Sequence, residues 1–425
     1  MPACLVGCAL LLGAPEVAQG APWRSAQVEP GRAAVAHAVD GGPGGAVAIV
    51  VERRDGRRRI LELREPAGVR TLAVSERAGF FSVFVDHDEQ GRRTVVWSAI
   101  PPGGGHLRLY VSEPGAPARR LTGAADAVDA VDEFAGSLDV APGGQAVATM
   151  ERRGSLAFQD SLVAYRSAGG TLGRPVDISG SPAVGALAAD GTATLISELG
   201  KAYVYQRISP DGTLGEPSNL DISGRGVTGG SPELAVTPGG RAVAVWSRER
   251  QVDPDEEVFG DEFLVESRVQ ASVWEPGAPA PGRPRTLSPS RDFAEALPVV
   301  ADGEDLTVAW TQDERGSSRA GVRSRSITGR GLGREAVHRL RRTNGFQKYS
   351  RAPILLSSED SRGTLLYPVR GVWYGLELDG RGRPRRERRV TPAGDDVREL
   401  FPARTDAGPV ALWETDAGVR LGRGG

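Results

Sequence analysis

Apolar residues in this chain come in short blocks, each preceded by a glycine-rich turn, and the pairing recurs about every fifty residues. The clearest copy runs Pro238-Gly239-Gly240-Arg241-Ala242-Val243-Ala244-Val245-Trp246, and its counterparts end at Val50, Trp97, Met150, Ser197, Trp310, Tyr367 and Trp413. Alanines take one face of the Ala242 to Trp246 block and valines the other, the pattern of a strand covered on both sides. Around it the copy predicts strands at Leu234 to Val236, Ser267 to Trp274 and Arg285 to Leu287. The copy before predicts a third strand at Ala202 to Arg207, a Ser209-Pro210-Asp211-Gly212 turn and a fourth strand at Ser218 to Leu220. Asp-Gly and Gly-Gly pairs supply the positive φ angles of tight hairpins. Four antiparallel strands per copy predict an all-β chain, a single β-propeller of four-stranded blades. The large residue that ends the second strand (Trp97, Trp246, Trp310, Tyr367, Trp413) is expected to fill the gap between blades.

The two ends of the chain complete the pattern. The last copy offers a strand around Ala403, another from Pro409 to Trp413 and a third at Val419 to Leu421, and then lacks a fourth. Trp23 to Val28 precedes the first complete copy and has the position of a fourth strand. Pairing it with Val419 to Leu421 closes the last blade from both termini and leaves no open sheet edge. Seven copies plus this shared one predict eight blades; a seven-bladed ring with one degenerate copy is the alternative.

Composition changes the picture in two places. A formal charge of -2 over 425 residues speaks against a polyanion-binding protein. Both cysteines, Cys4 and Cys8, lie in an apolar run followed by small residues up to Ala21. Residues 1–20 therefore read as an export signal and 21–425 as the propeller domain. Leu5-Val6-Gly7-Cys8 also has the form of a lipobox, which gives lipoprotein anchoring through Cys8 as a second possibility.

The turns Ala141-Pro142-Gly143-Gly144 and Thr237-Pro238-Gly239-Gly240 lead into apolar strands. In this phrasing the copies resemble TolB-type and WD-repeat-like bacterial propellers, in which a Ser-Pro-Asp-Gly turn does the same. Several copies have glycine where that turn has aspartate. The resemblance implies the fold and a secreted, extracellular or periplasmic location.

In such a meander, connections between strands one and two and between three and four share one end of the blade. The rest share the other. The first group is expected to be uniformly tight; the second is read as long and unequal, including Gly123 to Gly136, Gly224 to Gly230, Ser247 to Phe263 and Thr391 to Leu400. Varied loops on a rigid scaffold are where function concentrates. Asp132, Glu133, Phe134, Asp292, Phe293, Glu295, Asp396 and Glu399, just before several first strands, are candidate binding residues at the channel mouth, or strand caps. Asp253, Asp255, Glu256, Glu257, Asp261 and Glu262 form an acidic insertion with oxygen donors suited to Ca²⁺, although their spacing is not that of an EF-hand; a solvated loop is the other reading. His37, His87, His106 and His338 have no metal-ligand spacing, and no zincin, nucleophile-elbow or P-loop motif occurs. Gly224-Arg225-Gly226-Val227-Thr228-Gly229 matches a dinucleotide pattern but precedes no helix, so it is read as chance. The function expected is a binding module for a protein, peptide or glycan at the cell envelope, with no nucleic-acid partner; an extracellular polysaccharide hydrolase or lyase is the alternative.

Overall fold

Every predicted copy folds into one four-stranded antiparallel unit in the computed structural model, and the chain is an all-β, eight-bladed β-propeller. The structure describes residues 23–424 apart from 32–33, 77, 123–130, 155–158, 179, 181, 200–201, 221–226, 230–231, 252–264, 289–292, 298, 314–318, 329–330, 345–353, 357–363, 370–371, 379–383, 393–394 and 396. The export-signal region and the acidic insertion thus lie outside the described residues. Among the described residues no helix is long and apolar enough to cross a membrane.

Blade 1 is assembled from both ends of the chain: Glu399–Thr405, Gly408–Thr415 and Gly418–Arg423 are followed in the sheet by Arg24–Pro30. The clasp pairs the expected segments, with Ala26 opposite Leu421 and Gln27 opposite Arg420. Blade 2 comprises Ala34–Gly41, Val47–Asp55, Arg58–Glu65 and Gly68–Ser75. Blade 3 comprises Phe80–His87, Arg93–Ala99, Arg108–Ser112 and Arg119–Arg120. Blade 4 comprises Val131–Val140, Ala146–Gly154, Gln159–Arg166 and Val176–Ile178. Blade 5 comprises Ala183–Leu187, Ala193–Leu199, Ala202–Ile208 and Ser218–Leu220. Blade 6 is built on Ala242–Gln251 and Val265–Trp274, blade 7 on Asp305–Asp313 and Arg319–Thr328, and blade 8 on Thr364–Val369 and Val372–Leu378. By packing, the chain divides into two units. One holds residues to Asp177 with Leu366–Leu376 and Arg386–Gly425; the other holds Ile178–Leu365 with Glu377–Arg385.

Within each unit the cores lie between blades. Ala242, Ala244 and Trp246 pack with Ile196, Tyr203 and Tyr205 of blade 5, whereas Val243 and Val245 pack with Ala294, Val308 and Trp310 of blade 7. The small and large faces read from the sequence therefore meet different neighbours. Trp97, Trp246, Trp310, Tyr367 and Trp413 are all fully buried, and Trp246 lies against Tyr203 with ring centroids 5.2 Å apart. These rings fill core, as the repeat position implies.

First strands share a defect that the sequence did not announce. In blades 2, 3 and 4 the ladder slips between Ala36 and Ala38, Phe81 and Phe84, and Ala135 and Ser137. In blades 6 and 7 the strand is cut in two, as Val227–Gly229 with Glu233–Val236, and Phe293–Ala296 with Val300–Asp302. A bulge bends a strand and raises its twist, but it leaves backbone groups without ladder partners. In blades 4 and 7 the preceding blade supplies partners: Ala135 N donates to Ser98 Oγ at 3.1 Å, and Ala296 N donates to Ser247 Oγ at 2.8 Å. Both serines follow the core tryptophan of their own blade.

Gly418 is a sensitive point of the clasp. Its φ is +125°, and an added Cβ would stand 2.1 Å from Glu29 O on the terminal strand. Gly418→Ala should lower stability by about 2–4 kcal/mol in a urea melt. Gly56→Ala, at φ +61° with nothing near its Cβ, should cost roughly 1 kcal/mol; equal losses would show that the clasp is not under tight steric control.

Candidate functional site

The first-to-second turns are built to one plan. In blades 2 to 6 they occupy Gly42–Ala46, Asp88–Arg92, Ala141–Gln145, Ala188–Thr192 and Thr237–Arg241. The first residue's N–H donates in each to the fifth residue's carbonyl. The fourth residue is a glycine at positive φ, from +72° at Gly91 to +87° at Gly191, which is why the phrase needs glycine there. Neighbouring turns are also joined. Glu89 N donates to Pro142 O at 3.2 Å, and Ala189 N to Pro238 O at 3.1 Å. Where a turn is shorter, a carboxylate takes over: Asp406 Oδ2 accepts from Gly44 N, and Glu304 accepts from Gly239 N and Thr237 Oγ1.

Just before these turns, three successive first strands place an aspartate at the same register. Asp40, Asp86 and Asp139 each stand two residues before the turn, opposite Ala48, Thr94 and Val147. His87 Nδ1 lies 3.0 Å from Asp40 Oδ1 and 3.7 Å from Asp86 Oδ1. Asp40 Oδ2 accepts from Arg93 Nε at 3.1 Å, and Arg93 Nη1 reaches Glu65 Oε1 at 3.1 Å. Asp86 Oδ2 accepts from Val140 N of the next blade at 2.7 Å. Burial, then the charges of Asp139 and Asp40, push the Asp86 carboxyl well above its ordinary range. Ligand atoms of Asp40, Asp86 and His87 all lie within 4.8 Å of one another, a donor set able to hold a metal ion.

At the opposite end of its strand, blade 6 carries a different carboxyl. Glu233 is the first paired residue after the break in the first strand, opposite Val245. Its side chain has no ion pair or hydrogen bond among the described residues, and burial raises its pKa to about 7. A carboxyl near neutrality is suited to donating or accepting a proton.

The residues expected to ring the channel mouth are distributed differently. Asp132, Glu133 and Phe134 lie inside the strand Val131–Val140, not in a loop before it. Glu133 is buried, accepting from Leu109 N at 3.1 Å and Thr122 Oγ1 at 2.6 Å, so it caps the outer strands of blade 3. Asp132 Oδ1 accepts from Leu107 N at 2.7 Å and sits 3.3 Å from His106 Nδ1. Phe134 lies under Arg153, 5.1 Å from guanidinium carbon to ring centroid. Phe293 and Glu295 are in the strand Phe293–Ala296, and Glu399 is exposed at the head of Glu399–Thr405. Asp292, Asp396, Asp253, Asp255, Glu256, Glu257, Asp261 and Glu262 lie outside the described residues.

Connection lengths need correction at both ends. Second-to-third connections are two residues in half the blades, at 56–57, 200–201, 370–371 and 416–417, but extend to 100–107 and 252–264 elsewhere. Third-to-fourth connections are not uniformly tight, reaching 209–217 and 275–284. Part of the expected loop Gly224 to Gly230 is strand, since Val227–Gly229 pairs with Arg248–Arg250.

Glu233 gives a pH test. The folded carboxyl holds its proton up to about pH 7, whereas an unfolded glutamate releases it near 4.5. Folding is therefore disfavoured increasingly as pH rises through that window, and the penalty is complete above it. Glu233→Gln removes the penalty, so its stability relative to the parent should improve by on the order of 2–3 kcal/mol between pH 4 and pH 8. Urea melts across that range check this; a pH-independent difference would show that Glu233 ionises normally.

No protein-family model matches the chain. No curated protein matches it either. Solved structures similar to it stand at low identity. The β-propeller domain of the Trilobed protease from Pyrococcus furiosus is 9% identical, with a TM-score of 0.45, over 82% of this chain and 95% of that one. The Dos1 propeller is 8% identical with a TM-score of 0.48, over 95% and 94% of the two chains. An oligogalacturonate lyase in complex with manganese is 11% identical with a TM-score of 0.47, over 95% and 96%.

Proposed function

We propose that this chain is a secreted or envelope-associated propeller of the TolB-type or WD-repeat-like kind, acting as a binding module for a protein, peptide or glycan at the cell envelope. It engages its partner through the end that carries the second-to-third and blade-to-blade connections. One observation carries this reading. At the first-to-second end, neighbouring turns are hydrogen-bonded to each other through Pro142, Pro238, Glu304 and Asp406. At the other end, second-to-third connections vary from Gly56-Arg57 and Asp416-Ala417 to residues 252–264. Third-to-fourth connections vary too, up to 275–284, so the fixed part is the set of first-to-second turns, and the longest second-to-third connection, 252–264, belongs to the opposite end. Long loops on a fixed scaffold are what recognition requires. The acidic insertion Asp253 to Glu262 is the largest such variation, and Ca²⁺ is the ion its oxygens suit.

Glu233 favours a second reading, a hydrolase or lyase acting on extracellular polysaccharide. Its carboxyl, raised to about 7, has the protonation behaviour of a general acid.

Residues 21–425 should be assayed on a glycan array and a panel of basic and neutral peptides, with turnover followed in parallel. Replacing 253–262 by glycine and serine should weaken binding at least tenfold while leaving Tm within about 2 °C, because surface loops contribute little to stability. Unchanged binding would sink the binding-module reading as stated. Turnover of a glycan that disappears in Glu233→Gln would establish the second reading in its place.

A further inference from the structure

We propose that Asp40, Asp86 and His87 bind a divalent transition-metal ion of the Zn²⁺ class, at the first-to-second turn end of blades 2 and 3. This site lies at the opposite end of the blades from the loops assigned to partner binding, and it does not depend on that assignment.

The donor set is mixed: two carboxylate oxygens and one imidazole nitrogen, the combination that borderline divalent ions accept. Spacing fits at one pair. Ligands about 2.1 Å from one ion stand roughly 3.0–3.4 Å apart at octahedral or tetrahedral angles; Nδ1 of His87 is 3.0 Å from Asp40 Oδ1, whereas Asp86 Oδ1 stands 3.7 Å from it, so the Asp86 carboxylate must move inward to complete the set. Three protein ligands leave coordination positions open for water or an anion. Asp40 is buried, while Asp86 and His87 keep about a quarter and a fifth of their side chains exposed (26% and 21%), which gives an ion a way in.

The charge inventory points the same way. Asp40, Asp86 and Glu65 gather here, and among the described residues Arg93 is the arginine paired with two of them. Arg92 pairs with Asp88 in the adjoining turn, so it does not balance the group. A divalent ion does.

Arg93 supplies an independent sign of a missing acceptor. Its side chain is 5% exposed, and its Nη2 is buried without a hydrogen-bond partner. The Nε edge of a guanidinium also carries Nη2, and here that edge faces Asp40 through the 3.1 Å Nε–Oδ2 bond. A water or anion held on the ion beside Asp40 would accept from Nη2. Gly42 lets the guanidinium take this position: a Cβ there would fall 2.6 Å from Nη2.

The probe is Co²⁺ added to chelator-treated protein, read by its visible d–d absorption, with Zn²⁺ as competitor. One equivalent should bind, Zn²⁺ should displace it, and Zn²⁺ should raise Tm. Asp86→Asn and His87→Ala should each weaken Co²⁺ binding at least tenfold and abolish the Zn²⁺-dependent rise in Tm. The double variant Asp255→Asn/Glu256→Gln, in the acidic insertion, should change neither. Should Asp86→Asn fail to fold, His87→Ala and the Tm response of the parent decide. Absence of d–d bands, full binding by His87→Ala, or loss only in the insertion variant overturns the assignment.

Discussion

The broken first strand is the constraint on which the rest of this fold depends. A continuous strand would satisfy its own blade and need nothing from its neighbour. The first strand is interrupted near the same register in blades 2, 3, 4, 6 and 7, and in blades 4 and 7 backbone donors beside the gap are accepted by Ser98 and Ser247 of the preceding blade. The apolar layers then lock in behind: Ala242, Ala244 and Trp246 toward one neighbour, Val243 and Val245 toward the other. Between blades 3 and 4 and between blades 6 and 7, backbone satisfaction and core packing thus impose the same order.

The same turn end that is knitted by backbone hydrogen bonds also concentrates charge. Asp40, Asp86 and Asp139 repeat an acidic position that blades 5 and 6 fill with Ala186 and Ala235. Alanine there is enough for packing, so packing alone does not demand an aspartate. Asp86, like Asp88 and Glu133, holds backbone N–H groups in place, those of Val140 and His87, whereas Asp40 accepts from the side chains of His87 and Arg93.

Much of the architecture could be read from residues alone, because the turn-and-strand phrase encodes local geometry: glycine for a positive φ, alternating small and large apolar residues for two covered faces. The clasp followed from counting strands at Trp23 to Val28 and Val419 to Leu421. What escaped was information held between blades. Ser98 and Ser247 look like ordinary strand-end polar residues until the neighbour's gap is seen. Aligning Val39-Asp40-Gly41, Val85-Asp86-His87 and Leu138-Asp139-Val140 copy by copy would have revealed the recurring acid, but not that His87 and Arg93 converge on it. Glu133 was legible as a carboxylate near a first strand, and its inward direction was not. Burial of Glu233 depends on which side chains cover it, which no single copy contains.

Blade 1 carries a different implication. Its outermost strand, Arg24–Pro30, is made early in synthesis, yet its partner Gly418–Arg423 comes from the far end of the chain. That sheet cannot finish until Gly418–Arg423 has been made, and its closing step joins segments about 390 residues apart, a slow, entropically costly encounter. Until it happens, Gly418–Arg423 presents a bare edge that another copy's Arg24–Pro30 could occupy, making strand exchange the characteristic way for this molecule to dimerise by mistake.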